Sequence, residues 1–252
     1  MNLSHRKLGW KLMRGKGLEI GALHEHTILP TGCDVDYADA ISKEEAKKLF
    51  PEIDGSKLVD VKYIIDLDKS GLKSIGNEVY DFVILSHVIE HVANPINVVD
   101  ELFRVCKKGG LILIAAPDKN YTFDRKRDLT PFAHLWSEYE QKVTEVTDDH
   151  YLDFIKGVHP EVLEKSEAEL QQAIISVKNR REHAHVWDSG SFQQFLLTCF
   201  EKLGIHAQLV MENIGEHNKL EYFSIWQKTD GVNSYEKPQH SLVSKIRLAI
   251  GV

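Results

Sequence analysis

Short apolar runs without polar alternation constrain the fold of this chain more than any other feature. Runs of this kind, rich in β-branched residues, are typical of parallel strands that helices cover on both faces. Helical stretches lie between the runs, one after Ser42 and one after Asn94, which are both favourable N-cap residues. The order of strand and helix predicts an α/β fold with a doubly wound parallel sheet. The runs in the first half of the chain are residues 17–20, 33–37, 57–65, 80–85 and 111–116.

The two helices of the first half have recognisable ends. The first is predicted at 43–50, where Pro51 stops it. The second is predicted at 95–106, with Pro95 at its first position. The lysines and glycines at 107–110 are expected to end the second helix, because cations suit the last turn and glycine suits the position beyond it.

The alternation of strands and helices breaks after the fifth strand. The stretch 117–190 is polar and rich in histidine, and we predict a helical insertion there, whose clearest helix spans 160–181. Regular elements then return. They are a helix predicted at 191–203 and strands predicted at 205–211 and 222–228.

A chain of 252 residues is long enough for one α/β domain with an insertion, whereas two equal domains would be cramped. We therefore predict one domain over residues 1–229 and a C-terminal tail over 230–252. Leu242, Ile246 and Ile250 repeat at helical spacing in this tail and predict a short amphipathic helix. We expect this helix to pack on the fold or to form an oligomer contact.

The overall charge argues against nucleic acid as a partner. The formal charge is −7 and the pI is near 6.0, whereas binding to phosphate backbones needs a concentrated basic surface. Cys33, Cys106 and Cys199 form no C-x-x-C pair, so we expect neither a disulfide framework nor a cysteine zinc site. A reducing cytoplasm is the expected location.

No stretch of the sequence predicts a membrane span. The longest purely apolar run, 111–116, is too short, and the N-terminus lacks the apolar core of a signal peptide. Residues 3–16 alternate lysine and arginine with leucine, tryptophan and methionine. Two interpretations of this segment remain open, an ordinary helix that covers the fold and a helix in weak contact with a membrane surface.

The turn Glu19-Ile20-Gly21 follows the first strand, where open α/β sheets bind their ligands. A nucleotide cofactor also needs a carboxylate for its ribose about 20 residues further on, and Asp39 lies 39 − 19 = 20 residues beyond Glu19. The turn continues as Ala22-Leu23 and lacks the G-x-G-x-x-G of dinucleotide enzymes, which disfavours NAD. S-adenosylmethionine carries no phosphate, so this turn can still serve it.

Polar residues also follow the next two strands. Asp66 and Leu67 come after the third strand, where an acidic side chain can accept a hydrogen bond from an adenine amino group. Ser86 and His87 come after the fourth strand. Because the carboxyl ends of parallel strands share one edge of a sheet, we expect these residues near the same site.

The stretches GLEIGALHEH, DYADAIS, YDFVILSHVIEHVANP and ELFRVCKKGGLILIAAPDK resemble class I S-adenosylmethionine-dependent methyltransferases. This resemblance covers roughly 15–118 and the elements near 191–228. It implies a Rossmann-like, mostly parallel seven-stranded sheet and S-adenosylmethionine as cofactor. The chain departs from the E-x-G-x-G pattern of the family by lacking its second glycine. The implied cofactor-binding residues are Glu19, Gly21 and Ala22 near the methionine head, Asp39 at the ribose, Asp66 and Leu67 at the adenine, and Ser86 and His87 beside the methyl group.

Histidines are the expected catalytic residues. A hydroxyl acceptor benefits from a general base, and the pKa of histidine suits that role. His87 has the best position for it, and His185, within the sequence His183-Ala184-His185-Val186-Trp187, is a second candidate above the acceptor. The overall sequence resembles methyltransferases of bacterial surface-polysaccharide systems. We therefore expect the insertion to form the acceptor side and the acceptor to be a small or glycan-type molecule methylated on oxygen.

Other interpretations of the same residues remain open. His87, Glu90 and His91 match H-x-x-E-H, the pattern of a class of zinc metallopeptidases, although that class needs both histidines on one continuous helix. The same set resembles the metal ligands of some RNA-terminal methyltransferases, which bind a metal beside the substrate hydroxyl. A third alternative is a non-catalytic module that binds S-adenosylmethionine. Our primary assignment includes no metal.

Overall fold

The structure is a computed structural model that describes residues 3–231. Strands and helices alternate through the first half of this range, and helices predominate between the fifth and sixth strands. The strands are β1 (Lys16–Ile20), β2 (Asp34–Asp39), β3 (Tyr63–Ile64), β4 (Tyr80–Ser86), β5 (Cys106–Pro117), β6 (Ala207–Asn213) and β7 (Glu221–Lys228). The α-helices are α1 (Ser4–Trp10), α2 (Lys43–Leu49), α3 (Pro95–Val105), α4 (Phe132–Gln141), α5 (Asp148–Val158), α6 (Glu167–Asn179), α7 (Ser189–Leu203) and α8 (Gly215–Asn218).

The strands form one seven-stranded sheet in the order β3-β2-β1-β4-β5-β7-β6. The first five strands in this order are parallel, while β7 runs antiparallel to both β5 and β6. This arrangement confirms the Rossmann-like, doubly wound and mostly parallel sheet. The strand order reverses between β1 and β4, which places a ligand crevice at the carboxyl ends of these two strands.

Strand β4 shows why the apolar runs lack alternation. Val83 and Leu85 belong to the main core cluster on one face of the sheet, whereas Phe82 and Ile84 belong to a second cluster on the other face. All four side chains are buried because helices or the N-terminal segment cover both faces. Met13 is a fully buried member of the second cluster. The N-terminal segment therefore covers the fold, as one of the two interpretations of its sequence proposed.

The cap prediction for the two early helices is confirmed. The Ser42 side chain and Glu45 form a reciprocal capping box at the start of α2. The Asn94 side chain accepts a hydrogen bond from the backbone of Asn97 at the start of α3. Both helices lie on the sheet where the sequence predicted them.

The prediction that residues 107–110 end the second helix is wrong. Helix α3 ends at Val105, and Cys106 already has extended backbone and pairs with Tyr80. The glycines instead belong to β5, where its pairing with β4 is irregular. A Cβ on Gly110 would lie 2.8 Å from the backbone oxygen of Asp81, which is too close for a side chain. Glycine therefore permits the close approach of β5 to β4 at this point.

Two other element predictions need correction. The long third strand predicted at 57–65 is reduced to β3, because this edge strand pairs with β2 over only two residues. The helix predicted at 160–181 is divided into a short 3-10 helix (Pro160–Glu164) and α6. Ser166 caps α6 by a capping box with Glu169, so the S-x-x-E pattern starts a new helix inside the predicted one.

Helices α4, α5 and α6 follow β5 and form the predicted helical insertion. A buried arginine holds its parts together: Arg127 donates hydrogen bonds to Asp124 at 2.8 Å, to Asp153 at 2.9 Å and to the carbonyl of His183 at 2.9 Å. None of the helices within residues 3–231 has the length and apolar character needed to cross a bilayer. The helix predicted at 241–250 lies outside the described residues, and the division into a domain and a tail stays a prediction.

Candidate functional site

A cavity of about 310 Å³ opens at the carboxyl ends of β1, β2 and β3, on one side of the point where the strand order reverses. Three of the predicted cofactor residues line it, one from the end of each strand. These are Gly21, Asp39 and Leu67. The other lining residues are Ile20, Leu23, Ala40, Ile41, Leu49, Phe50, Ile65, Val88, His91, Val92, Asn179, Arg180 and Arg181.

The turn after β1 requires glycine at position 21. Gly21 has a φ of +71°, and a Cβ there would lie 2.5 Å from a methyl group of Val88. Its amide donates a hydrogen bond to the carbonyl of Ala38 on β2. Leu23 occupies the position of the missing second glycine and still has a φ of +46°. The chain therefore keeps a left-handed turn with a leucine side chain that lines the cavity.

Glu19 is buried and faces the loop that follows Gly21. Its carboxylate accepts hydrogen bonds from the backbone of Thr27 at 3.0 Å and from the Thr27 hydroxyl at 2.6 Å. Burial raises the pKa of Glu19, although the hydrogen bonds from Thr27 oppose this change. The side chain of Glu19 fixes the loop beside the cavity, and neither Glu19 nor Ala22 lines the cavity itself.

Asp39 ends β2 and, among residues 3–231, is the only acidic residue that lines this cavity. Burial raises the pKa of its carboxyl group, and hydrogen bonds from the amides of Ala40 and Ile41 oppose the increase. A partly desolvated carboxylate held by two amides is a strong hydrogen-bond acceptor for sugar hydroxyls.

Asp66 follows β3, and its carboxylate forms an ion pair with Arg181 of the insertion. The Arg181 Nη2 atom lies 2.5 Å from Asp66 Oδ2. Burial disfavours the charge on Asp66, but the guanidinium outweighs it and lowers the pKa of the carboxyl group. Asp66 does not line the cavity, whereas its neighbour Leu67 and its partner Arg181 do. The assignment of Asp66 to the adenine stays a prediction.

Ser86 and His87 end β4 but do not line this cavity. His87 has a φ of +55°, and its amide donates to the carbonyl of Ala115 on β5. The imidazole Nε2 atom of His87 lies 2.7 Å from a carboxylate oxygen of Glu221, at the start of β7. His87 therefore faces the β5 and β7 side of the strand-order reversal.

Glu221 is fully buried and joins three basic side chains. Arg6 binds both of its oxygens, and His5 Nε2 and His87 Nε2 each lie 2.7 Å from one oxygen. Burial disfavours the charge, but the hydrogen bonds from Arg6, His5 and His87 hold the pKa of Glu221 well below its usual range. No sequence pattern indicated this group, because Glu221 is more than 100 residues away from each of its partners in the sequence.

Glu90 lies at the centre of a second group, which we name the Glu90 cluster and define as Glu90, His87, His91 and His183. Glu90 is 1% exposed, yet neither carboxylate oxygen has a hydrogen-bond partner among the described residues. Three imidazole nitrogens face its Oε1 atom: His91 Nε2 at 3.6 Å, His87 Nδ1 at 3.7 Å and His183 Nε2 at 3.9 Å.

The other nitrogen of each imidazole in the Glu90 cluster has a partner. His87 binds Glu221, His91 Nδ1 lies 2.5 Å from the carbonyl of Arg181, and His183 Nδ1 lies 2.6 Å from Asp124. Burial lowers the pKa of His91. Burial also disfavours the charged form of His183, but Asp124 and Glu90 outweigh it and raise the pKa.

His185 does not line the cavity at the carboxyl ends of β1, β2 and β3. It is fully buried, and burial lowers its pKa well below the usual range, so that the imidazole is neutral. Its neighbours are His134, Glu138 and His150 of helices α4 and α5. The proposed role of His185 in catalysis stays a prediction, and nothing in its surroundings connects it with Asp39 or Gly21.

The structure thus brings Gly21, Asp39 and Leu67 together in one cavity, whereas His185 lies apart from them in the insertion. Sequence reasoning missed Arg181, Glu221 and the contribution of His183 to the Glu90 cluster. The H-x-x-E-H pattern did signal His87, Glu90 and His91. Its residues occupy a loop and a one-turn 3-10 helix (Ile89–His91), not the continuous α-helix that a metallopeptidase requires.

A family model described as Methyltransferase domain matches residues 7–194, which is more than half of the chain. No curated protein matches the chain. Among solved structures, a protein from Rhodobacter sphaeroides named for Zn-dependent alcohol dehydrogenases has a TM-score of 0.54 and 11% identity. The match covers 91% of each chain, and at this identity it shows the fold alone.

Two further solved structures have names that refer to methyl transfer. A SAM-dependent methyltransferase from Thermotoga maritima, described as a possible histamine N-methyltransferase, has 15% identity and a TM-score of 0.46, over 90% of this chain and 89% of that chain. The CurJ carbon methyltransferase has 12% identity and a TM-score of 0.44, over 86% of this chain. The match spans only 49% of the CurJ chain.

Proposed function

The chain belongs to the methyltransferase-domain family, and on this premise we propose that it methylates an oxygen atom of a small or glycan-type acceptor. It is an enzyme with S-adenosylmethionine as its cofactor. We assign the adenosine part of the cofactor to the cavity lined by Gly21, Asp39 and Leu67. The acceptor side is assigned to the insertion, whose residues 179–181 also line that cavity.

The group of imidazoles beside the cofactor cavity supports an oxygen acceptor. A hydroxyl must lose its proton during methyl transfer, whereas the reaction of a neutral amine does not need a base in the same step. His91 lines the cavity, and His87 and His183 lie next to it in the Glu90 cluster. The His87 Nδ1 atom remains available for a proton because Glu221 holds only the Nε2 atom.

The acceptor is tested with radiolabelled S-adenosylmethionine and a panel of sugars, their deoxy analogues and primary amines. We expect label on sugars with a free hydroxyl and none on the matching deoxy compounds. His87→Gln should lower kcat by about 10²- to 10⁴-fold, the usual contribution of a general base, without changing cofactor affinity. His206→Gln, an exposed change, is the control. Label found only on amines would contradict the proposal.

The Glu90 cluster favours a second candidate function, in which a divalent cation assists the same transfer. A buried carboxylate without hydrogen bonds is costly unless it is paired or binds a metal. A histidine that binds a metal through one ring nitrogen usually donates a hydrogen bond from the other nitrogen to a carboxylate or a carbonyl. Metal–ligand lengths of about 2.0–2.2 Å place neighbouring ligand atoms about 3.3–3.6 Å apart. The imidazole nitrogens lie 3.6 to 3.9 Å from Glu90 Oε1, which is slightly longer.

The cation would be held by Glu90, His91 and His183, whose ligand atoms lie within 4.8 Å of one another, with His87 beside them. Such a cation lowers the pKa of a bound hydroxyl and so supplies the chemistry that the base would otherwise supply. Glu221 and Asp124 would fix the orientation of two of the imidazoles. His91 places this group at the wall of the cofactor cavity.

Glu90→Gln distinguishes the two candidate functions. Added Mn²⁺ should raise the activity of the chelator-treated wild type but leave the activity of Glu90→Gln unchanged. Glu161→Gln, an exposed change in the insertion, is the control. Equal effects of Mn²⁺ on the activity of all three proteins would exclude the metal-assisted function.

A further inference from the structure

A second cluster of metal-ligand residues lies within the insertion, apart from the Glu90 cluster. We name it the Glu138 cluster and define it as His134 and Glu138 of α4, His150 of α5 and His185 of the segment before α7. His134 and Glu138 are four residues apart, so they lie on one face of their helix. The cluster adjoins a cavity of about 480 Å³, which His134, Glu138 and His150 line.

The separations in the Glu138 cluster match the ligands of one small cation. Glu138 Oε1 lies 3.2 Å from His134 Nε2 and 3.3 Å from His150 Nε2, and the two Nε2 atoms are 3.1 Å apart. Four tetrahedral ligands at about 2.0–2.1 Å from a zinc ion are separated by about 3.3 Å. His185 Nε2 lies 4.0 Å from the other oxygen, Glu138 Oε2.

Three buried atoms of this cluster have no hydrogen-bond partner among the described residues: Oε2 of Glu138 and both ring nitrogens of His185. His185 is 1% exposed, and its Nε2 atom forms no hydrogen bond; Glu138 Oε2 is also buried and unbonded among the described residues. A polar side chain buried in this way costs free energy that a ligand can recover. The Nε2 atom of His185 faces Glu138 Oε2, which is also unbonded, across 4.0 Å.

The remaining groups around the cluster also favour a cation. His150 Nδ1 lies 3.2 Å from the Thr147 hydroxyl, which fixes the ring and leaves Nε2 for coordination. Asp128 and Asp149 also line the adjoining cavity and add negative charge near the cluster. A set of imidazoles and one carboxylate is the nitrogen and oxygen ligand set that suits Zn²⁺.

We propose that the Glu138 cluster binds one Zn²⁺ ion through His134, Glu138 and His150, with His185 as the buried fourth ligand. The ion joins α4 and α5 to the segment that also carries His183. His183 and His185 are two residues apart, so one segment contributes to both clusters. The ion therefore stabilises the insertion, and this role does not depend on the proposed methyl transfer.

The test uses the full chain in the Glu90→Gln background, so that only the Glu138 cluster contributes metal binding. Protein stripped by a chelator is titrated with Zn²⁺ alone, and with Co²⁺ as a spectroscopic probe. We expect one equivalent of Zn²⁺, a rise in Tm and the visible absorption of tetrahedral Co²⁺. His134→Ala added to this background should weaken Zn²⁺ binding at least 100-fold and remove the rise in Tm.

The His134→Ala change suits the test because the side chain is 44% exposed, so its removal leaves the fold intact. His159→Ala, another exposed histidine of the insertion, is the matched control and should bind Zn²⁺ like its parent. Glu138→Gln gives a second variant with nearly the same shape and should also lose the ion. One equivalent of Zn²⁺ bound equally by all variants, or no binding by the parent, would overturn the proposal.

Discussion

Position within a strand decides the chemistry of an aspartate in this protein. Asp34 and Asp39 begin and end the same strand, β2, yet Asp34 is exposed at the amino end of the strand and Asp39 lines the cavity at its carboxyl end. Burial raises the pKa of Asp39 because the charged form loses water. Hydrogen bonds from ribose hydroxyls would replace that water, which is why we assign the ribose to Asp39.

Asp39→Ala is therefore expected to weaken S-adenosylmethionine binding by about 10- to 100-fold. This range corresponds to the loss of about 1.5–3 kcal/mol from hydrogen bonds to a charged group. Isothermal titration measures the affinity, and Asp34→Ala should bind like the wild type. If Asp39→Ala keeps the wild-type affinity, the ribose assignment is wrong.

At the scale of elements, the loop after β3 connects the sheet with α3 and the insertion. Asp66 pairs with Arg181, while Asp68 accepts a hydrogen bond from the amide of Ala93 at 2.7 Å. Burial raises the pKa of Asp68 to about 6. The folded protein therefore holds this proton at pH values where the unfolded chain has lost it.

This difference makes stability depend on pH in a defined direction. The contribution of Asp68 is complete below its ordinary pKa of 3.8 and is lost as the pH rises through about 6. Asp68→Asn keeps the acceptor for Ala93 and removes the titration. Urea unfolding should show the variant gaining free energy of unfolding relative to wild type between pH 4 and pH 6, and no further gain above that. The exposed control Asp60→Asn should show no such trend; a constant difference for Asp68→Asn would contradict the prediction.

At the scale of the whole molecule, Glu221 joins the first helix to the last strand. Helix α1 packs against β7, where a Cβ on Gly9 would lie 2.7 Å from the Phe223 ring, and the side chains of His5 and Arg6 reach Glu221. His87 connects the same carboxylate to the end of β4. The buried carboxylate of Glu221 thus connects the N-terminal segment with the carboxyl end of β4.

Glu221→Gln should lower the free energy of unfolding by about 3 kcal/mol at neutral pH, because it leaves Arg6 without its buried partner. The pKa of Glu221 is lowered in the folded state, so its contribution is present above the ordinary value of 4.5 and is lost as the pH falls. The difference between variant and wild type should therefore shrink below pH 4.5. Urea unfolding at neutral and acidic pH measures this, with the exposed Glu216→Gln as control. A difference that does not change with pH would count against the assignment.

The sequence by itself determined the sheet, the helices that cover it and part of the cavity to which we assign the cofactor. These follow from local signals: apolar runs such as 80–85, caps such as Ser42 and Asn94, and the turn at Gly21. The predicted end of an element was wrong where a tertiary contact outweighed the local signal. At residues 107–110 the sequence predicted a helix end, but pairing with β4 draws the chain into β5.

Only the tertiary structure decided which polar side chains meet. Glu221 and His5 are 216 residues apart, and His183 and His185 of one segment lie beside Glu90 and Glu138, respectively. Hydrophobic periodicity and caps act over a few residues and are visible in a sequence. The pairing of buried charges and imidazoles depends on how distant elements pack, and no local pattern encodes that.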